Sequence, residues 1–169
     1  MHNYPLSIKV LFLHKSSLRA HTQKAPEMKW FSGLFSGHVG IEFQPGRVVD
    51  FVSYGRFRWF PDNKKPHSRF MIRTRREFAS LFGTVPRAPH ISVITIPVSE
   101  NQQKALEGII DAYTRQPPYD YAFLGMRCAS ATYELLARAG ILRYRSLRFI
   151  ALRIFTPGIL KRYLRKIDR

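Results

Sequence analysis

The sequence predicts an α+β fold in which an antiparallel sheet packs against helices. Short runs rich in β-branched and aromatic residues dominate the first hundred positions, and capped helical patterns follow Ser99. No strand–helix–strand alternation is present, which argues against a parallel sheet. The chain has 169 residues, enough for a single domain over 1–169, and its 45% hydrophobic and 23% charged residues exclude a disordered chain.

The strand predictions begin with "LSIKVLFL" at 6–13, which is short, apolar and β-branched. "HVGIEF" at 38–43 and "RVVDFVS" at 47–53 flank "QPG", the pattern of a β-hairpin. Residues 69–73 add a strand, and "HISVITIP" at 90–97 is the clearest one, closed by Pro97. The mixed composition of residues 14–36 predicts an irregular excursion.

The helix predictions rest on capping residues. A short helix is expected at 75–82, and Ser99 with Gln102 forms a capping box before a longer helix that Pro117 and Pro118 end. The next helix runs from about 128 to 139 and ends at Gly140. A basic amphipathic helix at about 156–168 closes the chain, with Thr156 as N-cap and Pro157 in the first turn.

The chain is strongly basic, with 28 Lys and Arg against 11 Asp and Glu and a formal net charge of +17. Such a surface attracts phosphate groups, on nucleic acid or on anionic lipid. "YGRFRWF" at 54–60 interleaves basic and aromatic residues as single-strand binders do, but zinc-finger spacing, an RNP-like motif and a P-loop are missing. A nucleic-acid partner is therefore the weaker alternative.

The C-terminal helix offers a second route to an anionic partner. Its apolar residues, Ile159, Leu160, Tyr163, Leu164 and Ile167, fall on one side, with the basic residues largely elsewhere. That side either docks on the domain's own core, which we favour, or lies on an anionic membrane.

Localisation is predicted to be cytoplasmic, with peripheral membrane contact as an option. The apolar stretch "LSIKVLFLH" is interrupted by Lys9 and lacks a small-residue cleavage site, so no secretory signal is expected. No apolar run approaches the length of a spanning helix. A single cysteine makes no internal disulfide, and the scattered histidines have no zinc-ligand spacing, so neither a metal nor another cofactor is predicted.

Cys128 is the only cysteine and stands where a loop turns into a helix. A free cysteine is often a small buried hydrophobe. At a helix N-terminus, however, unpaired N–H groups and the helix dipole favour the thiolate, and the same N–H groups can hold an oxyanion. Cys128 is therefore a candidate nucleophile, to which Arg127 adds positive charge if it points that way.

A thiol nucleophile needs a base and a group that orients the base. Among six histidines, His38 differs because it opens an apolar strand. Asp50 lies twelve positions later across the QPG turn, and an odd loop or a bulge places both side chains on one sheet face. A strict two-residue loop would separate them. Glu42 shares the face of His38 but lies roughly 13 Å along the strand, so Asp50 is preferred.

"GHVGIEFQPGRVVDF" and "RCASATYELLARAGI" resemble the circularly permuted papain-like group of the NlpC superfamily, which includes YiiX-like and lecithin retinol acyltransferase-like proteins. The chain order His38, Asp50, Cys128 is that of the permuted group, and the resemblance covers roughly residues 37–140. It implies a papain-like fold and a Cys–His–Asp triad in a hydrolase or acyltransferase acting on an amide, ester or thioester carbonyl.

The resemblance also makes "YDYAFLG" at 119–125 similar to the aromatic segment that lines the pocket of this group, so Tyr119 and Tyr121 are candidate substrate contacts. Both are equally well explained as core or rim aromatics. The sequence departs from the lecithin retinol acyltransferase branch at the residues beside Cys128 and in having Asp50 where that branch has histidine. A peptide and a lipid acyl group both remain open as substrates.

Overall fold

The computed structural model describes residues 6–14, 37–54, 58–62, 67–81, 91–154 and 156–167. Over these residues the chain forms five strands and five helices, so the predicted α+β class is confirmed. The predicted excursion at 14–36 lies outside the described residues except for His14. The elements in chain order are β1 (Leu6–Leu13), β2 (His38–Gln44), β3 (Arg47–Ser53), β4 (Ser68–Thr74), α1 (Arg75–Ala79), β5 (Ile91–Val98), α2 (Glu100–Arg115), α3 (Cys128–Arg138), α4 (Leu147–Arg153) and α5 (Pro157–Ile167).

The five strands form one sheet in the order β4-β3-β2-β1-β5, and every neighbouring pair is antiparallel. The hairpin of β2 and β3 occupies the interior of the sheet. The prediction that Pro97 closes this strand is wrong, since β5 continues to Val98. This position tolerates proline because, among the described strands, β5 is the edge strand of the sheet and pairs with β1 alone.

Most of the hydrophobic core lies on one face of the sheet, under α2, α3 and α5. Alternate residues of β1 and β2 point into it, as the two-residue period of a strand requires: Ile8, Val10, Phe12, Val39 and Ile41. The opposite face carries a smaller cluster made of Leu11, Leu13, Val48 and Phe78, the last of which comes from α1.

Helix ends follow the capping residues. Ser99 Oγ accepts from the Gln102 N–H at 3.2 Å, while Gln102 Oε1 accepts from the Ser99 N–H at 2.9 Å, which completes the predicted capping box. Gly140, with φ of 70°, follows the end of α3 in the left-handed conformation that favours glycine. Helix α4 was not predicted, because it has only seven residues and its consecutive apolar residues at 149–152 show no clear helical period.

Gly40 is required by close packing between β2 and α1. A Cβ at this position would lie 2.8 Å from Val48 Cγ1, 2.9 Å from Phe78 Cε2 and 2.9 Å from Val49 O, which belongs to the backbone and cannot turn away. We expect Gly40→Ala to lower the free energy of unfolding by about 1–3 kcal/mol, since overpacking forces neighbouring atoms to shift. Urea denaturation followed by circular dichroism measures this change.

Gly108→Ala is the matched control, because a Cβ at Gly108 has no atom within 4 Å. In the middle of α2 this alanine should stabilise the protein by up to about 1 kcal/mol. Equal effects of the two substitutions would contradict the close approach at Gly40.

Candidate active site

The turn between β2 and β3 brings His38 and Asp50 onto one face of the sheet. Pro45 and Gly46 form a two-residue loop, which by itself would put Asp50 on the other face. The register, however, shifts from Gln44 opposite Arg47 to Glu42 opposite Val48, so β2 contains one extra residue as a β-bulge. Beyond the bulge Asp50 lies opposite Gly40, which makes it the diagonal neighbour of His38.

The His38 imidazole is fixed by Asp50. Its Nε2 lies 2.8 Å from Asp50 Oδ2, and the carboxylate is fully buried while the ring keeps 13% exposure. Because an ionised carboxylate only accepts hydrogen bonds, Nε2 carries the proton and the neutral ring leaves Nδ1 free to act as a base. Glu42, the alternative carboxylate, instead accepts from the Gly46 N–H at 3.0 Å.

Two further side chains hold this pair. Arg73 on β4 donates from Nε to Asp50 Oδ1 at 3.1 Å, so each oxygen of the carboxylate has its own cationic or imidazole partner. The Phe78 ring packs against the imidazole with 5.7 Å between centroids. The carboxylate and the imidazole are thus restrained from both sides.

Cys128 is the first residue of α3 and is 5% exposed. The His38 side chain and the backbone N–H groups of Val39 and Ala129 lie near its sulfur and favour the thiolate. The turn before the helix is held by Ser130, whose Oγ accepts from the Arg127 N–H at 2.7 Å. The Arg127 guanidinium folds back over the Phe123 ring, 4.2 Å from its centroid, and donates to the Phe123 carbonyl.

The electrostatics favour an ion pair between thiolate and imidazolium. Burial disfavours charge on both groups, but their mutual attraction outweighs it. For His38, the Cys128 thiolate and the hydrogen bond to Asp50 raise the pKa to about 10. For Cys128, the charge and hydrogen bond of His38, with the two backbone N–H groups, bring the thiol pKa below its ordinary value.

Tyr121 is the candidate substrate contact that lies at the thiol. Its hydroxyl lies near the Cys128 side chain and the Cys128 backbone N–H, and both groups influence the Tyr121 pKa. Burial, followed by the nearby Cys128 thiolate, raises the Tyr121 pKa, so the phenol stays protonated and can donate a hydrogen bond. The Tyr121 ring also packs on Phe51 of β3, 5.4 Å between centroids.

Tyr119 lies in the core instead. Its hydroxyl donates to Glu134 Oε2 at 3.3 Å, and its ring makes an edge contact with Phe51. Glu134 is fully buried and also accepts from Tyr113 Oη at 3.0 Å and from Arg138. Of the two interpretations of Tyr119 given from the sequence, its position fits that of a core aromatic.

Asp120, between the two tyrosines, organises the segment that leads to the thiol. Its buried carboxylate accepts from Ser68 Oγ at 2.7 Å, from His67 Nδ1 at 2.8 Å and from the backbone N–H groups of His67 and Asp62 at 3.0 and 3.2 Å. Ser68 Oγ in turn accepts from the Tyr121 N–H at 3.0 Å. Asp120 thus fixes the backbone from which Tyr121 reaches Cys128.

Sequence reasoning missed Arg73, Phe78 and Asp120. The contact of Arg73 with Asp50 depends on the register of β4 against β3, in which Met71 lies opposite Asp50. Asp120 alone could have been noticed in the sequence, because an acidic residue between two tyrosines in "YDY" is unusual in an otherwise apolar segment.

An apolar rim borders the loop before Cys128. Backbone hydrogen bonds from Phe123 N to Arg58 O at 2.9 Å and from Leu124 N to Trp59 O at 2.8 Å join two segments. The Trp59 and Phe123 rings make an edge contact at 4.9 Å. Trp59, Phe60 and Leu124 are 49%, 67% and 51% exposed, so apolar surface faces solvent four residues from the nucleophile candidate.

Comparison with known proteins adds no assignment, since no protein-family model, curated protein or solved structure matches the chain. Within the described ranges, no cluster of three or more His, Cys, Asp and Glu side chains could hold a metal ion. The helices described here are also too short or too polar to cross a bilayer.

Proposed function

We propose that the protein is a thiol hydrolase or acyltransferase of the permuted papain-like type, acting on an amide, ester or thioester carbonyl. The observation that carries the proposal is that Asp50 holds His38 by a 2.8 Å hydrogen bond, while the His38 imidazole lies close enough to Cys128 for each of the two groups to shift the pKa of the other. A buried structural cysteine needs no imidazole and no carboxylate, whereas a nucleophile needs both.

In the proposed reaction the Cys128 proton already lies on His38 Nδ1, and the thiolate of this ion pair attacks the substrate carbonyl carbon to form a C–S bond and an oxyanion. The imidazolium then returns its proton to the departing amine, alkoxide or thiolate, which leaves a thioester on Cys128. Water or an acceptor hydroxyl or amine gives a proton to His38 and attacks this thioester. Collapse of the second oxyanion releases the acyl group and restores the sulfur.

The oxyanion is assigned to the space between the Cys128 backbone N–H and the Tyr121 hydroxyl. These two groups lie next to each other in the free protein. Both are donors, so a developing negative oxygen that displaces this contact gains two hydrogen bonds at once. Tyr121 thereby acts on the reacting carbonyl, a closer role than general substrate contact.

The antiparallel sheet, with a cysteine-led helix packed on it, supports the permuted papain-like assignment, as does the chain order of His38, Asp50 and Cys128. The apolar rim of Trp59, Phe60 and Leu124 favours a substrate with an apolar part next to its carbonyl. Peptide amides and lipid acyl groups both satisfy this requirement.

The test is the pH dependence of Cys128 alkylation by iodoacetamide. Because the His38 imidazolium lowers the Cys128 pKa, the wild-type rate should reach half its plateau well below pH 8.5, the ordinary thiol value. In His38→Ala, burial acts without the opposing charge, so the midpoint should move above pH 8.5. Mass spectrometry of quenched samples gives the rate at each pH.

His14→Ala is the matched control, since His14 is also half-buried but is bonded to Ser92 Oγ at 2.8 Å. Its midpoint should equal that of the wild type. A wild-type midpoint at or above pH 8.5, unchanged by His38→Ala, would refute the proposed nucleophile and favour a module without turnover.

A further inference from the structure

The segment 143–153, "RYRSLRFIALR", combines charge and exposed apolar surface in a way that the proposed chemistry does not use. It contains four arginines and no acidic residue. Its central part forms α4, whose first N–H groups are capped by Ser146 Oγ, an acceptor for Phe149 N at 3.4 Å. We call residues 143–153 the basic–apolar segment.

The apolar side chains of this segment point mainly outward. Tyr144, Leu147, Phe149 and Leu152 are 54%, 37%, 41% and 68% exposed. Ile150 is fully buried and, with Ile154, joins the main core, so these two residues hold the helix on the domain. Four large apolar side chains, three on a folded helix and one just before it, stay in water at the surface, which indicates a contact surface.

The sequence analysis also considered the C-terminal helix α5 for membrane binding, but the apolar side of α5 is already packed against the domain. Leu160 and Leu164 are 0% and 2% exposed, and the Tyr163 ring packs edge-on against Tyr133 at 5.3 Å. Its apolar side therefore docks on the core, as favoured from the sequence. The outward apolar side chains of the basic C-terminal part belong to the basic–apolar segment.

We propose that the basic–apolar segment binds the surface of an anionic lipid bilayer. Tyr144, Leu147, Phe149 and Leu152 enter the boundary between headgroups and acyl chains, and the arginines contact lipid phosphates. The Arg145 guanidinium already lies over the Phe149 ring, 5.4 Å from its centroid, so cationic and apolar groups are paired at the same surface. The net charge of +17 attracts such a membrane over a longer range.

A bilayer fits this surface better than a nucleic acid does. Both partners carry phosphates, and aromatic side chains can stack on bases as well as enter an interface. Leu147 and Leu152, however, have no aromatic face with which to stack and no polar group with which to read a base. Two exposed leucines gain free energy only where apolar surface is available, which a bilayer offers.

The helix that follows this segment begins near the candidate active site. After α4 the chain returns to the end of the sheet that holds His38: a Cβ built on Gly37 would lie 3.9 Å from the Pro157 side chain. The proposal does not depend on the thiol chemistry, because it rests on exposure and charge alone.

The experiment is co-sedimentation of the full chain with vesicles of phosphatidylserine and phosphatidylcholine, and with phosphatidylcholine alone. We expect binding to the anionic vesicles, and at least about a tenfold loss of apparent affinity in the double variant Phe149→Ser/Leu152→Ser. Leu6→Ser is the matched control, since Leu6 is 48% exposed on β1, and its affinity should stay within about twofold of the wild type.

A parallel titration with duplex and single-stranded DNA separates the two polyanions. The double variant should bind DNA as the wild type does. Unchanged vesicle affinity in the double variant, or an equal loss toward vesicles and DNA, would overturn the proposal, since the apolar side chains would then not act on lipid. Cys128 alkylation is also measured in the double variant, where a wild-type rate shows that the fold and the thiol are intact. Failure of the membrane proposal therefore leaves the proposed thiol chemistry testable.

Discussion

Replacing Asp50 by asparagine should slow acylation of Cys128 by about 10²–10⁴-fold. The carboxylate now serves two donors, His38 Nε2 and Arg73 Nε. An amide has one acceptor oxygen, and if Arg73 takes it, the amide NH₂ faces Nε2 and forces the ring proton onto Nδ1. His38 then has no lone pair toward the sulfur. The burst of p-nitrophenolate released from p-nitrophenyl acetate measures the acylation rate.

The double variant Asp50→Asn/Arg73→Met provides the control. Without the guanidinium, the amide oxygen is free to face His38 and restore the useful tautomer, so the double variant should recover on the order of tenfold over Asp50→Asn. Thermal unfolding of each variant separates loss of fold from loss of chemistry. If Asp50→Asn acylates at the wild-type rate, Asp50 has no orienting role and the triad is disproved.

Removing the Asp120 carboxylate should produce the largest loss of stability. Asp120→Ala leaves Ser68 Oγ, His67 Nδ1 and two backbone N–H groups without their acceptor in a buried place. We expect the free energy of unfolding to fall by about 3 kcal/mol, since each buried donor that loses its partner carries a desolvation cost. Urea denaturation at neutral pH measures this loss.

Asp111→Ala is the matched control, because that carboxylate is 64% exposed and pairs only with the exposed Arg115. Its effect should lie within about 0.5 kcal/mol of the wild type. A loss of similar size in both variants would contradict the role given to Asp120.

The Asp120 effect should also depend on pH. Burial raises the Asp120 pKa, but the hydrogen bonds from Ser68, His67 and Asp62 outweigh it and hold the pKa below the ordinary value of 3.8. A lowered folded-state pKa means that the stabilisation is present above pH 3.8 and is lost as the pH falls through the folded value. The difference between wild type and Asp120→Ala should therefore shrink in acid.

Local patterns in the sequence predicted most elements of the fold. The hairpin around "QPG", the strand at 6–13 and the Ser99 capping box all appear within one or two residues of their predicted bounds. Each of these elements depends on residues only a few positions apart in the chain, and such short-range preferences can be recognised in the sequence without a structure. Helix α4 was not predicted because its stability depends on Ile150 and Ile154, which pack in a core assembled from distant segments.

For the candidate site, the sequence predicted the three candidate catalytic side chains and their order, but only the fold could bring them together. Whether Asp50 reaches His38 depended on one extra residue in β2, and a strand's two-residue period turns that single residue into a change of sheet face. The contacts of Arg73 with Asp50 and of Asp120 with Ser68 and His67 depend likewise on strand register and loop path. Residue types set what chemistry the chain can perform, whereas long-range pairing decided which of them meet, because contacts across tens of residues are fixed by packing and not by local preference.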